Sequence, residues 1–424
     1  MTSKLAINGG TPVINTHKKL INNIVTDNED IFSVVRCFEN NAFSKFRAGS
    51  YEGGPEVIGF EEHIRKSLLV KHAVSFDTWS NGIIASLMSM GITGGDEVLV
   101  TPYTMTSCAT SILSCGAIPV FVDIDKNNLC ISPDDIRRKI SKRTKAIFVV
   151  HLAGIPADMK KILNIASEHN LYVFEDCAQA PLAKYCGLYC GTMGDVGGFS
   201  LTESKHVMSG EGGIAITNND KINNGLRVVR NHGEVCNTLS RNDEYSSDVI
   251  SDSGLIGHNF RMTEITSALA KSQWKKLEDN LFSRRKNVDA VYDAISNNKK
   301  YSKILKIFRP EYNHIPSWYF LPFRFDENNA RVSRKVFVNA INAEGLNFNC
   351  GYVDPLYNQS IYTTRKHWVI KYFAGHIDYA KMMCRNVEDL QNNELILTLD
   401  IKPSDSANDI VEVLTKIIDN IDEL

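Results

Sequence analysis

Seven short apolar segments alternate with helix-like segments between residues 72 and 217, and this alternation constrains the fold of the chain most strongly. Each segment is a nearly continuous run rich in Val, Ile and Phe, which is typical of strands buried on both faces. The alternation predicts an α/β fold with a mostly parallel seven-stranded sheet flanked by helices. The predicted strands are His72–Phe76, Glu97–Pro102, Ile118–Asp123, Ala146–Leu152, Tyr172–Cys177, Gly197–Leu201 and Gly213–Thr217, and the predicted helices between the first five are Ser80–Met90, Thr104–Cys115, Ser132–Ser141 and Ala157–His169.

The alternation ends after Asn218, and the remaining pattern predicts a second, smaller domain. A polar, loop-like stretch runs to about residue 254 before helical patterns resume. We predict a large domain over residues 1–280 and a smaller C-terminal α+β domain over residues 281–424. The later predicted elements are helices at Met262–Lys276, Arg285–Ser296, Ser333–Glu344 and Ser406–Ile418, with a strand near Trp318–Phe325.

The composition argues against several classes of function. The 424 residues are 43% hydrophobic and 23% charged, with a net charge of −2, so the basic excess of a nucleic-acid-binding protein is absent. No apolar run approaches the roughly 20 residues that a membrane-spanning helix needs, and the first residues lack the apolar core of a signal peptide. The ten cysteines show no Cys-x-x-Cys spacing, which argues against a metal site and favours reduced thiols in the cytoplasm.

One lysine stands between two turns of small residues. Lys205 follows the strand Gly197–Leu201 and precedes Gly210-Glu-Gly-Gly213, a tight turn that we expect to bring the lysine back against the sheet. A lysine held in this way loses water, and desolvation favours the neutral amine. The neutral amine is the form that makes a Schiff base with an aldehyde cofactor. A single lysine in a loop is more often a solvated surface residue, so Lys205 needs a second signal.

The second signal is a carboxylate at the end of a strand. Asp176 ends the apolar run that begins at Val173, and open α/β sheets place their ligands at the carboxyl ends of the strands. A strand-end acid by itself is often structural, but an acid here can hold a pyridine nitrogen protonated and make the ring an electron sink. Asp176 and Lys205 together predict the two ends of a pyridoxal phosphate site. Gln179 lies three residues further on and could bond the ring hydroxyl.

Other residues at the same sheet edge give weaker signals. The Ser80-Asn81-Gly82 turn opens a helix whose backbone N–H groups favour a phosphate, although a serine N-cap explains the turn equally well. Ser200 could donate its hydroxyl to the same phosphate. Met105 could lie on one face of the cofactor ring or be a buried helix residue. His151 ends the fourth strand, where a packed histidine and a ligand contact are both open.

These motifs resemble the sugar aminotransferases of the DegT/DnrJ/StrS type, which are fold-type I pyridoxal phosphate enzymes. The resemblance runs nearly the whole length of the chain, and the order and spacing of its last five blocks make it specific. The matching blocks are Asn8-Gly-Gly-Thr-Pro12, Phe60-Glu-Glu62, Gly94-Gly-Asp-Glu-Val98, Gly116-Ala-Ile-Pro-Val-Phe-Val-Asp123, His151-Leu-Ala-Gly154, Glu175-Asp-Cys-Ala-Gln-Ala180, Phe199-Ser200 with Lys205 and Gly210-Glu-Gly-Gly213, Arg230-Asn-His-Gly233 and Gly257-His-Asn-Phe-Arg-Met262.

The resemblance implies a role for each candidate residue. Lys205 matches the lysine that binds the cofactor aldehyde, Asp176 the acid at the ring nitrogen, and Gln179 the residue at the ring hydroxyl. A cytoplasmic homodimer with shared active sites is implied, because Asn259 matches an asparagine that reaches the phosphate bound by the partner subunit. The expected cofactor contacts are Asn81, Gly82, Ile83, Met105, Asp176, Gln179, Ser200, Lys205 and Asn259, and the expected substrate contacts are His151, His206 and Tyr357.

Two departures and one alternative reaction bear on this interpretation. Ile83 stands where relatives usually carry threonine, so only its backbone N–H would remain for the phosphate, and Met105 replaces an aromatic ring. Related deoxysugar dehydratases carry histidine at the lysine position, but His206 lies one place too late for that register. A non-catalytic binding protein on the same fold is less consistent with an intact Lys205 and Asp176. The resemblance implies transfer of an amino group from glutamate or glutamine to a nucleotide-linked keto-sugar or a keto-cyclitol, with the particular substrate undetermined.

Overall fold

The computed structural model describes residues 4–14, 26–46, 52–236, 250–252, 254–311, 313–399, 401 and 406–424. The strands are β1 (His72–Phe76), β2 (Glu97–Val100), β3 (Ile118–Phe121), β4 (Thr144–Val150), β5 (Tyr172–Asp176), β6 (Lys184–Tyr185), β7 (Leu188–Tyr189), β8 (Val196–Ser200), β9 (Gly213–Thr217), β10 (Glu234–Cys236), β11 (Ile250–Asp252), β12 (Leu305–Ile307), β13 (His314–Ile315), β14 (Leu321–Phe325), β15 (Phe348–Cys350) and β16 (Leu395–Thr398).

The helices of the described residues surround and connect these strands. They are α1 (Asn28–Glu39), α2 (Pro55–Leu68), α3 (Trp79–Ser89), α4 (Thr106–Ser114), α5 (Pro133–Lys139), α6 (Met159–His169), α7 (Asp220–Arg230), α8 (Glu264–Lys275), α9 (Leu277–Ser296), α10 (Tyr301–Ile304), α11 (Glu327–Ala330), α12 (Arg334–Ala343), α13 (Ser360–Thr363), α14 (Trp368–Tyr372), α15 (Arg385–Asp389) and α16 (Ser406–Asp419). No helix of the described segments is both long enough and apolar enough to cross a membrane.

The central sheet has seven strands in the order β1-β9-β8-β5-β4-β2-β3, which confirms the predicted α/β class. Strands β3, β2, β4, β5 and β8 run parallel to one another, whereas β9 is antiparallel to both β8 and β1. The parallel strands are buried almost throughout, as expected for a sheet with helices on both faces. Asp176 and Ser200 are the last residues of the neighbouring strands β5 and β8. The sheet therefore brings both residues to one edge.

Local capping sets where the helices begin. Ser132 accepts a hydrogen bond from the Asp135 N–H, and Pro133 occupies the first turn of α5, as the sequence predicts. Helix α3 begins at Trp79, one residue earlier than predicted, because the Thr78 hydroxyl rather than Ser80 accepts the Asn81 N–H. Helix α4 begins at Thr106, two residues later than the predicted start at Thr104.

Helix α7 is one of the helices that the sequence does not predict. The stretch after Asn218 was expected to be loop, but Asp220–Arg230 forms α7. The Asn219 side chain caps it by accepting from the N–H groups of Lys221 and Ile222. Its few apolar residues are buried on one face against α3 and β1, so tertiary packing stabilises a segment whose composition reads as polar.

The C-terminal region forms a separate four-stranded sheet in the order β12-β14-β16-β15. Its three pairings are all antiparallel, and α9, α12 and α16 pack together beside it. This agrees with the α+β architecture predicted for this part of the chain. Helix α9 runs continuously from residue 277 to residue 296, so the proposed domain boundary at 280 falls within a helix.

Candidate active site

Three donors within the protein hold the carboxylate of Asp176. Its Oδ1 accepts from the Trp79 indole N–H at 3.0 Å and from the Ala178 backbone N–H at 2.9 Å. Its Oδ2 accepts from the Cys108 thiol at 3.2 Å. Burial, followed by the neighbouring Asp176 charge, raises the pKa of the Cys108 thiol well above its ordinary value, so the sulfur keeps its proton and acts as a donor. Asp176 is itself buried.

Lys205 lies in the loop between β8 and β9. The Leu201 N–H bonds the Gly212 carbonyl at 3.0 Å, and the Ser209 N–H bonds the Leu201 carbonyl at 2.8 Å, so the loop folds back on itself as the glycine turn predicts. The half-buried side chain of Lys205 places Nζ 4.4 Å from the centre of the Tyr319 ring. An aromatic face attracts an ammonium group and also shields it from water. The lysine is therefore held in a partly desolvated position.

A network of side chains joins the central sheet to the C-terminal region beside this lysine. The Gln179 amide donates from Nε2 to the Tyr352 hydroxyl at 2.8 Å, while its Oε1 accepts the Ala153 N–H at 2.8 Å. Burial raises the pKa of the Tyr352 hydroxyl, and the Tyr319, Cys108 and Asp176 groups also act on it. Asp176, Gln179, Tyr319 and Tyr352 thus surround one site.

The start of α3 differs from its predicted role. The Gly82 N–H donates to the Thr78 carbonyl at 3.1 Å, and the Asn81 N–H donates to the Thr78 hydroxyl at 3.2 Å. Ile83 is fully buried inside the helix. The expectation that Gly82 and Ile83 present backbone N–H groups to a phosphate is therefore wrong, because helix α3 itself uses the Gly82 group and encloses Ile83.

Two other predicted cofactor contacts lie at the expected sheet edge. Ser200 is half-buried at the end of β8 and pairs across the sheet with Gly213. Met105 is the residue that precedes α4, and 59% of its surface is exposed. The alternative of a buried helix residue is therefore excluded for Met105. These positions leave both side chains able to reach a ligand, and their contact with a cofactor stays a prediction.

His151 is a packed structural residue and not a substrate contact. It is completely buried. Its Nδ1 accepts the Ala157 N–H at 3.1 Å, so Nε2 carries the proton and donates to Glu175 at 3.0 Å. His151, Glu175 and Cys177 bring possible metal ligands within 4.8 Å of one another. Since hydrogen bonds to the protein already occupy both ring nitrogens and the carboxylate, we interpret this cluster as structural.

His206 and Tyr357 do not fit the substrate role either. The Nε2 atom of the buried His206 ring lies 3.2 Å from the Ser317 carbonyl oxygen. Burial, followed by the charge of Arg284, lowers the pKa of His206 well below its ordinary value. The Tyr357 hydroxyl donates to Glu388 at 2.5 Å and accepts the Cys384 N–H at 3.3 Å. Both side chains are buried and bonded within the protein, which corrects the prediction for each.

Asn259 is exposed in the segment before α8. Thr263 caps that helix by accepting the Thr266 N–H at 3.3 Å, so the alternative role of Asn259 as a helix cap is excluded. The adjacent Phe260 carbonyl accepts the Asp77 N–H at 3.0 Å. Asn259 therefore lies close to the start of α3 in its own chain, and its reach into a partner subunit stays a prediction.

Four side chains of this site were not predicted from the sequence. Trp79 and Cys108 bond Asp176 across 97 and 68 residues of chain, and no local pattern indicates such contacts. Tyr319 lies near the start of an apolar, aromatic run, Trp318–Phe325, that predicts only a strand. Tyr352 lies five residues before Tyr357, which is the tyrosine of this region that the resemblance implies as a substrate contact.

Comparison with known proteins supplies the family. Residues 29–414 match the model of the DegT/DnrJ/EryC1/StrS aminotransferase family. The chain belongs to this family. It is therefore a pyridoxal-phosphate-dependent aminotransferase, and the dehydratase and the non-catalytic binding protein are set aside.

Individual relatives agree with this assignment. The chain is 29% identical to the spore coat polysaccharide biosynthesis protein SpsC of Bacillus subtilis, over 93% of this chain and 95% of that protein. It is 31% identical to a putative L-glutamine:3-amino-2,3-dideoxy-scyllo-inosose aminotransferase of Streptoalloteichus tenebrarius, over 86% of this chain and 84% of that protein. The crystal structure of an aminotransferase from Psychrobacter cryohalolentis is similar, with a TM-score of 0.82 and 26% identity, covering 94% and 98% of the two chains.

Proposed function

We propose that this aminotransferase moves an amino group from glutamate or glutamine to a nucleotide-linked keto-sugar or to a keto-cyclitol. Lys205 is the catalytic amine. The observation that carries the proposal is the position of Lys205, half-buried against the Tyr319 ring, with the charges of both Lys205 and Asp176 acting on the Cys108 thiol. The SpsC and scyllo-inosose relatives support a sugar or cyclitol acceptor, and the latter's name includes glutamine as the donor.

The residues present fit pyridoxal phosphate. Asp176 supplies a buried carboxylate for the ring nitrogen, and Gln179 has a second amide hydrogen besides the one donated to Tyr352. Ser200 and the first-turn N–H groups of Trp79 and Ser80 are donors suited to a phosphate at the start of α3. When bound, the cofactor supplies an electron sink that stabilises negative charge on the reacting carbon.

Lys205 moves the proton in this scheme. Its amine, once displaced by the amino donor, takes the proton from the donor carbon and later returns one to the acceptor carbon. The Tyr319 ring limits where Nζ can go and excludes water from one side of it.

We also propose that the enzyme acts as a cytoplasmic homodimer with shared sites. The nine cysteines whose side chains the structure describes are free thiols, which suits a reducing compartment. The exposure of Asn259 beside the start of α3 suits a residue that completes a phosphate site across a two-fold axis.

The reaction can be tested in two halves. Glutamate or glutamine added to the cofactor-loaded enzyme should remove the visible absorbance of the lysine-bound cofactor, and a keto-sugar or keto-cyclitol added next should restore it. Lys205→Ala should lose the starting band and both half-reactions. Lys184→Ala is the matched control, because Lys184 also lies over a tyrosine ring, at 4.5 Å, but belongs to a different strand pair. A Lys205→Ala enzyme that still transaminates would refute the proposal.

A complementation experiment tests the shared site. Lys205→Ala is mixed with a variant in which residues 257–261, including Asn259, are altered. In the heterodimer one site carries both lesions and the other carries neither, so activity should return in part. Exchanged heterodimers that remain inactive would show that each site is built within one chain, as the contact between Phe260 and Asp77 would then allow.

A further inference from the structure

The Asp176 carboxylate uses its two oxygens unequally. Oδ1 accepts from both Trp79 and Ala178, whereas Oδ2 accepts only from Cys108 among the described residues. A carboxylate offers about four acceptor positions, two on each oxygen. Oδ1 is therefore saturated, and Oδ2 has room for one more donor.

The fold makes space for the indole that saturates Oδ1. Trp79 is the first residue of α3, and its ring stacks on Phe174 with centroids 5.8 Å apart and an angle of 20°. A Cβ added to Gly198 would come 2.0 Å from the indole ring, one added to Gly82 would come 2.7 Å from it, and one added to Gly213 would meet the Trp79 Cα at 2.6 Å. Three glycines from two strands and one helix thus form a slot that matches a tryptophan.

Packing alone does not require this choice of side chain. Only 5% of the Trp79 surface is exposed. A phenylalanine in the slot would bury an apolar ring without burying a polar group. A buried indole N–H needs an acceptor, and here that acceptor is the carboxylate proposed to bind the cofactor ring. The N–H therefore acts on the carboxylate in addition to filling space.

We propose that Trp79 is a positioning residue, whose indole N–H fixes the Asp176 carboxylate so that Oδ2, beside the Cys108 thiol, is the oxygen that bonds the ring nitrogen of pyridoxal phosphate. The inference rests on the proposed role of Asp176. The Trp79 contact sets the rotation of the carboxylate about its last side-chain bond. Cys108 then shares Oδ2 with the cofactor.

The test compares Trp79→Phe, which keeps a stacked ring and loses the N–H, with Trp274→Phe, which removes another buried indole packed on Phe199. We expect Trp79→Phe to weaken binding of pyridoxal phosphate to the apoenzyme by about 10-fold, the loss of one charge-assisted hydrogen bond. It should also move the pH midpoint of the bound cofactor's visible band. Trp274→Phe should leave that midpoint unchanged. Equal behaviour of the two variants would overturn the proposal and leave Trp79 a packing residue.

Two further measurements keep the proposal testable if Trp79→Phe folds poorly. The chain has four tryptophans, so four indole N–H signals are expected in a proton–nitrogen NMR spectrum of the apoenzyme. One of them should move strongly in Asp176→Asn while the other three stay in place, and an unchanged spectrum would contradict the contact. In the Asp176→Asn background, where the Trp79 N–H meets a neutral acceptor, Trp79→Phe should cause a smaller loss of affinity than it causes in the wild-type enzyme. Failure of the wild-type enzyme to bind pyridoxal phosphate would refute the proposed function instead, because the NMR result does not depend on the cofactor.

Discussion

Two neighbouring acids on β5, Glu175 and Asp176, lie in different surroundings. The comparison distinguishes an acid that we interpret as structural from one that we propose as a cofactor contact. Glu175 faces one side of the sheet, where its carboxylate accepts the backbone N–H groups of Gly191, Met193 and Gly194 and the His151 ring N–H. Asp176 faces the other side, where two of its three donors are side chains of α3 and α4. Alternation along the strand places the two carboxylates on opposite faces of the sheet.

The difference distinguishes the acid that we propose as functional from the one that we interpret as structural. The Glu175 carboxylate has four donors from the protein, two on each oxygen, which fill its acceptor positions. Among the residues that the structure describes, Asp176 has three donors, which leaves one acceptor position on Oδ2 for a ligand. Both acids are buried, and burial alone would not have distinguished them. The number of hydrogen-bond donors on each carboxylate oxygen does distinguish them.

The largest expected effect is on catalysis and comes from Asp176→Asn. The amide oxygen can accept from Trp79 and Ala178, and its NH2 can face the Cys108 sulfur, which is able to accept. The fold should therefore persist, while kcat/KM falls by about 100- to 1000-fold because the charge on the ring nitrogen's partner is lost. Steady-state kinetics and a melting curve check this. Wild-type turnover would show that Asp176 is structural.

The converse expectation holds for Glu175→Gln. In either orientation its NH2 group faces a backbone N–H, because each carboxylate oxygen accepts at least one. Unfolding free energy should fall by about 2–4 kcal/mol, and the folded fraction should keep its kcat. Glu62→Gln, which breaks only an exposed pair with Lys66, should change stability by less than about 0.5 kcal/mol. Denaturant titration compares the two, and equal stability would remove the structural role assigned to Glu175.

A smaller effect separates His206 from an exposed histidine. The lowered pKa of His206 keeps its ring neutral in the folded state, whereas the unfolded chain takes up the proton below about pH 6.5. Stability should therefore fall as pH drops below that value, with His206 contributing up to about 1.4 kcal/mol per pH unit until its folded pKa is reached. His206→Asn should flatten this dependence between about pH 6.5 and pH 5, and exposed His169→Asn should not. An unchanged slope in His206→Asn would contradict the neutral, buried ring.

The smallest expected effect concerns Tyr357. Tyr357→Phe removes the hydrogen bonds to Glu388 and from the Cys384 N–H and should cost about 1 kcal/mol of stability. The KM for the keto substrate should stay unchanged, since the side chain is buried and its hydroxyl is bonded within the protein. A KM raised several-fold with unaltered stability would restore Tyr357 as a substrate contact.

Local sequence patterns predict the strands of the central sheet and single out two candidate residues of the site. The seven strands appear as apolar runs, and Lys205 and Asp176 follow from a glycine turn and a strand end. Helix α7 was missed because its apolar residues are few and become meaningful only against α3 and β1. Trp79 and Cys108 were missed because their bonds to Asp176 join distant parts of the chain. His151 and Tyr357 were misassigned because a strand-end or loop position does not reveal which buried partners satisfy a side chain.

The most direct test of the account is to locate the cofactor on the chain. The purified, cofactor-loaded enzyme is reduced with borohydride and digested, and the peptide that carries the phosphopyridoxyl group is identified by mass spectrometry. The account predicts that the group is on Lys205, in the loop between Ser200 and Gly213, and that Lys184→Ala leaves the labelling intact. A label on any other lysine, or stoichiometric labelling of Lys205→Ala, would contradict it.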